Sequence, residues 1–103
     1  MRLATVLGQV VATVKEPGLD RFTLLVVRDG MADDHGADSP AGTAYVAVDL
    51  VGAGVGELVL VVGGSTARAA ASAATGTDCP TDRAVVGIAD TVIEGGSVTY
   101  RKS

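Results

Sequence analysis

Tryptophan is absent from this sequence, and Phe22, Tyr45 and Tyr100 are its only aromatic residues. Strand-borne aromatics stack the bases of single-stranded nucleic acid, so their scarcity argues against that partner. Positive charge is equally thin, since eight Lys and Arg against twelve Asp and Glu leave a formal net charge of −4. Phosphate backbones are held by a positive field, which such a chain does not supply. Cys79 stands alone and excludes an internal disulfide. No apolar run reaches the roughly 18 residues of a membrane helix, and no charged-then-apolar leader opens the sequence. The expectation is a soluble intracellular protein with no nucleic-acid or membrane partner.

The same scarcity limits catalysis. A cysteine nucleophile wants a histidine base, and the one histidine, His35, lies in a breaker-rich acidic stretch, "DGMADDHGADSPAGT" (29–43), that reads as a surface loop. One histidine and one cysteine fall short of a zinc site. Asp29, Asp33, Asp34 and Asp38 lack the spacing and the glutamate of an EF-hand calcium loop. Asp49, Glu57, Asp82 and Asp90 border apolar strands and could supply an acid and a base, but nothing in the sequence brings two of them together. A chain of 103 residues buries only about 65% of its unfolded surface, which leaves little room for a deep cleft. The reading is one domain, 1–103, with no catalytic residue, cofactor or metal.

What is present is a β-rich apolar pattern. "LATVLGQVVATV" (3–14) puts Ala4, Val6, Gly8, Val10, Ala12 and Val14 on one period-2 face, predicted to be buried, with Gly8 easing the sheet around a barrel corner. "KEPGLD" (15–20) marks a turn. "TLLVV" (23–27) and "ELVLVV" (57–62) are apolar at both parities and need cover on both faces. "AYVAVDL" (44–50) alternates, "AVVGIA" (84–89) is another β-branched run, and "SVTYR" (97–101) alternates again. The one helical signal is "STARAAASAATG" (65–76), with Ser65 as the expected cap and Gly76 as the left-handed stop. Together these predict a mainly β fold, a small five- or six-stranded barrel of the oligonucleotide/oligosaccharide-binding type with one short helix.

Two glycine clusters raise the question of a phosphate cradle. Gly52, Gly54 and Gly56 alternate strictly and precede a strand, whereas a dinucleotide fingerprint needs G-x-G-x-x-G opening a helix. Gly63 and Gly64 do lie between a strand and the helix, but no lysine occurs between Lys15 and Lys102, which excludes a P-loop. Arg68 sits near the helix start, where a cation opposes the helix dipole and calls for a negative neighbour, with Asp82, Asp90 or a carboxylate of another chain as candidates. The rival is a binding module of the same barrel class, holding an anionic ligand at the helix start from Gly63 to Arg68.

"AVDLVGAGVGELVLVVGGSTAR" (47–68) followed by "PTDRAVVGIADTV" (80–92), with "LGQVVATVK" (7–15) and "FTLLVV" (22–27) before them, resembles the EutN/CcmL family, the pentameric vertex proteins of bacterial microcompartment shells. The sequence departs from the family's pattern in lacking an aromatic often seen in the first strand and in carrying Cys79. The resemblance implies a barrel assembled as a cyclic homopentamer that caps the corners of a shell in the bacterial cytoplasm. Its partners would be hexameric and pseudohexameric shell proteins, and no catalysis or cofactor is implied. The family-motif positions carried over are Asp49, Gly52, Ala53, Gly54, Gly56, Glu57, Ser65, Ala67, Arg68, Asp82, Gly87, Ile88 and Asp90. Strands apolar on both faces fit a ring, because head-to-tail neighbours can cover flanks that one small chain leaves bare.

Overall fold

The computed structural model describes residues 1–13, 15–31 and 42–102. Val14, the aspartates at 33, 34 and 38, and His35, all singled out above, lie outside the described residues. The chain runs β1 (Arg2–Val10), a 3₁₀ turn (Pro17–Leu19), β2 (Thr23–Asp29), β3 (Tyr45–Asp49), β4 (Leu58–Gly63), α1 (Gly64–Thr75), β5 (Arg83–Ile88), β6 (Thr91–Glu94) and β7 (Ser97–Arg101). Strands β1-β2-β3-β5-β4 close into a barrel. All its pairings are antiparallel except β3 with β5. Closure leaves no free edge to template strand pairing.

The double-sided apolar runs find two covers. Inside, Ala4, Val6, Leu25, Val27, Ala47, Val59, Val61 and Val85 form one buried cluster. Outside, Val48, Val62 and Ala84 meet Phe22, Cys79 and the helix residues Ala67 and Ala71 in a second. Each fully buried valine is worth roughly 1.5–3 kcal/mol over an exposed one, so aliphatic burial holds this barrel without help from tryptophan. The alanines of α1 bring its axis close to the sheet.

Three expectations change in detail. The buried face drawn along 3–14 breaks at Leu7, where a bulge shifts the register between Val6 and Gly8. Val6 faces the interior beside Val27, but Gly8 pairs with Val26 and Val10 with Leu24, so beyond the bulge the former inner set lies on the outer face, and the strand stops at Val10. The helix cap is also not Ser65. β4 runs directly into α1, so Gly63 is the N-cap with no side-chain cap bond, and the Gly64 N–H donates to the Asp82 carbonyl at 2.9 Å. Finally, the strand at 97–101 is not a barrel strand. It pairs with β6, which the sequence reading passed over, in a separate two-stranded hairpin.

Candidate functional site

The glycine stretch forms the loop from β3 to β4. Asp49 ends β3 and turns its carboxylate back over that loop. Oδ1 accepts the N–H groups of Val51 and Gly52, each at 3.0 Å, and Oδ2 accepts that of Ala53 at 3.0 Å. Glu57 Oε1 accepts the Gly54 N–H at 2.5 Å, while Oε2 meets Lys102 Nζ at 2.6 Å. The hydrogen bond from Lys102, followed by that from Gly54, holds the Glu57 carboxyl below its usual range. The N–H groups that would cradle a phosphate are therefore taken by the loop's own carboxylates.

Local backbone chemistry explains most of the glycines. Gly52 (φ 81°) and Gly56 (φ 89°) occupy the left-handed region that other residues avoid. Gly54 carries no such demand, and a Cβ there would meet only the Glu57 carboxylate at 3.4 Å. The loop's exit is stitched to β1 by Gly56 N–H to the Val6 carbonyl at 2.8 Å and Val6 N–H to the Glu57 carbonyl at 3.0 Å. Ala53, bent inward, packs on the inner cluster together with Ile88. The loop thus stoppers one mouth of the barrel, and a Cβ at Gly87, close by on β5, would come within 3.0 Å of Leu60.

At the other end of β3 the barrel is closed by side chains. The Tyr45 hydroxyl donates to Asp29 Oδ1 at 2.7 Å, and Arg2 donates to Oδ2 at 2.6 Å. The Arg83 guanidinium lies 5.7 Å from the centroid of the Tyr45 ring. Burial pushes the Asp29 carboxyl up, but the hydrogen bonds from Tyr45 and Arg2 outweigh it and leave the group below its usual range. Burial, then the bond to the Asp29 carboxylate, pushes the Tyr45 phenol up to about 12. Sequence reasoning missed this group. The available signal was the placing of Arg2, Asp29 and Arg83 at strand ends on the inward parity, where charge needs partners.

The remaining motif residues are dispersed. Arg68 begins the second turn of α1 and bonds Asp78 through both its Nε, at 2.9 Å, and its Nη2. The expected partners Asp82 and Asp90 are not used: Asp82 lies 3.8 Å from Arg83, and the Asp90 backbone carbonyl accepts the Lys102 N–H at 2.7 Å. The segment after Gly76 folds back along the helix, which brings Asp78 beside Arg68. Arg68 and the Gly64 N–H, two of the groups the anion-site reading relied on, are both partnered inside the chain. Ser65 is exposed, and Ala67 is buried beneath the helix. Cys79 is wholly buried, its N–H donates to Ser72 Oγ at 3.0 Å, and burial pushes its thiol up. Among the described residues no group of three or more His, Cys, Asp and Glu could hold a metal, and no helix is long and apolar enough to cross a membrane.

Comparison with known proteins agrees with the barrel. Residues 1–90 match the profile of a family described as ethanolamine utilisation protein EutN/carboxysome. The microcompartment shell vertex protein EutN of Escherichia coli strain K12 is 46% identical over 99% of this chain and 100% of its own. The carboxysome shell vertex protein CcmL of Synechocystis is 44% identical over 99% of this chain and 95% of its own. Among solved structures, the pentameric microcompartment shell protein GrpN of Rhodospirillum rubrum superposes with a TM-score of 0.71 at 41% identity, covering 91% of this chain and 98% of that one. With the family profile matched over residues 1–90 and similarity to these shell proteins across nearly its whole length, this chain is a member of the EutN/CcmL family.

Proposed function

We propose that five copies of this chain close into a ring that caps a vertex of a bacterial microcompartment shell, the full chain acting as one structural unit. The observation that carries this reading is its near-full-length identity to shell vertex proteins, together with the likeness to a pentameric one. The role is geometric. A flat layer of six-fold units cannot close on itself, and a five-fold unit introduces the needed curvature, so hexameric and pseudohexameric shell proteins are the neighbours such a cap would meet.

The loop of Asp49, Gly52, Ala53, Gly54, Gly56 and Glu57 is assigned to the surroundings of the ring axis, where five copies approach one another. Gly54 supports this placement, since neither its backbone conformation nor its surroundings among the described residues require a glycine. Native mass spectrometry tests the ring: five chains are expected, and a stable monomer or another count overturns the reading. Gly54→Leu then tests the axis. Loss of the five-chain species with the barrel still folded is expected, and rings of undiminished stability would remove the loop from the axis.

A further inference from the structure

The outer face of the barrel is covered unevenly. One cross-strand row, Val10–Leu24–Val48, runs into the cluster beneath α1. The next, Gly8–Val26–Val46, has no such cover among the described residues, and Val46 is 47% exposed with Leu7 of the bulge beside Gly8 at 42%. Gly8 is the gap in that row. Its φ is not in the left-handed region, and among the described residues a Cβ there would meet nothing within 4 Å. A glycine inside a strand weakens it by roughly 0.5–1 kcal/mol in comparison with alanine; here it adjoins the bulge between Val6 and Gly8, and it leaves the β1 end of this row without a side chain.

A second element is also left without cover. The β6–β7 hairpin forms no sheet with the barrel strands, and Ile93 and Val98 stand 65% and 47% exposed. Lys102, just past β7, pairs with Glu57 at the start of β4, and its N–H closes the base of the hairpin on the Asp90 carbonyl. A lone two-stranded hairpin is marginal in water and gains stability by packing on something apolar. In a ring, contacts are head-to-tail, so each copy must offer two unlike surfaces, one to each neighbour.

We propose that the row Gly8–Val26–Val46 is the seat for the β6–β7 hairpin of the next copy, with Ile93 and Val98 entering the notch that Gly8 leaves open. This rests on the ring reading above and assigns the two faces that meet in it. Each copy lends a hairpin to one neighbour and receives one from the other, so closure of the ring covers every hairpin.

The full chain tests the pairing in two ways. Gly8→Val adds a β-branched side chain where the single barrel has room, so the barrel is expected to fold with unchanged circular dichroism, while the ring dissociates at protein concentrations at least tenfold higher than wild type. Gly8→Ala gives a weaker shift in the same direction. In the double variant V46C/I93C, diamide oxidation of rings verified by native mass is expected to give covalent ladders up to five chains, absent from either single variant; buried Cys79 does not contribute. Rings that tolerate Gly8→Val at wild-type dilution, or that yield no ladder, overturn the assignment while leaving the five-fold cap intact. A wild-type chain that forms no ring overturns both.

Discussion

The two mouths of this barrel are closed by different means. One is sealed by side chains on regular strands, Arg2, Asp29, Tyr45 and Arg83, whose contacts would exist in a solitary chain. The other is sealed by backbone, a loop whose N–H groups are gathered by Asp49 and Glu57 and whose central glycine has no internal justification. A side-chain plug serves stability alone. A loop of bare backbone, shaped by its own carboxylates, presents a thin rim, which is why the ring proposed above is given its axis at this second mouth.

Asp49→Ala attacks the assembly end and should have the largest effect. It strips the acceptors from the N–H groups of Val51, Gly52 and Ala53, and hydrogen bonds to a charged group carry enough energy that a loss of about 2 kcal/mol is expected. Urea unfolding should show that drop, and native mass should show the five-chain species depleted with it. Tyr45→Phe attacks the other end. Removing the hydroxyl from Asp29 should cost about 1 kcal/mol by urea unfolding and leave the ring count untouched. A ring disrupted as badly by Tyr45→Phe as by Asp49→Ala would erase the distinction between the ends.

Alkali sharpens the same contrast. The Tyr45 phenol titrates at about 12 in the folded chain, against about 10 when unfolded. A raised value means that its contribution is complete below about pH 10 and is lost as pH climbs through about 12. The wild-type stability profile should therefore carry an alkaline limb across that window, and the Tyr45→Phe profile should lack that component. Arg68→Ala should have the smallest effect, because the Arg68–Asp78 bridge is more than half exposed, with side-chain exposures of 52% and 68%. A slight fall in melting temperature with intact rings is expected, and collapse of the ring would give this bridge an assembly role that its position does not suggest.

Much of this architecture was legible in the residues, and the failures have physical causes. β2 and β4 announced a need for two covers because they are apolar at both parities, and the chain supplies an inner one to both and an outer one beneath α1 to β4 and to Leu24 of β2, but not to Val26. The bulge at Leu7 was hidden because Val6, Leu7 and Val10 leave either parity plausible and only the register with β2 reveals the switch. β6 escaped notice because Thr91–Glu94 is four residues long and needs β7 to exist. Ser65 looked like a cap because a strand running into a helix without a break has no sequence marker.

At the candidate site, the glycines and the carboxylates Asp49 and Glu57 are all singled out from the sequence, but not the bonds that join them. An aspartate followed within a few residues by glycines signals a side chain gathering local N–H groups, a pattern readable before any fold is known. Arg68 was expected to need a carboxylate, and the wrong one was named, because the partner was fixed by how the chain leaves the helix after Gly76. The Arg2–Asp29–Tyr45 group joins residues too far apart in sequence to be paired without the barrel.

The sealed thiol at residue 79 gives the barrel a built-in clock. Packed against α1 with its protonated form favoured, it meets an alkylating agent only when α1 or the segment that follows it lifts away from the strands below. Its rate of modification under native conditions therefore counts the moments when the outer layer peels, separately from the melting of the inner one.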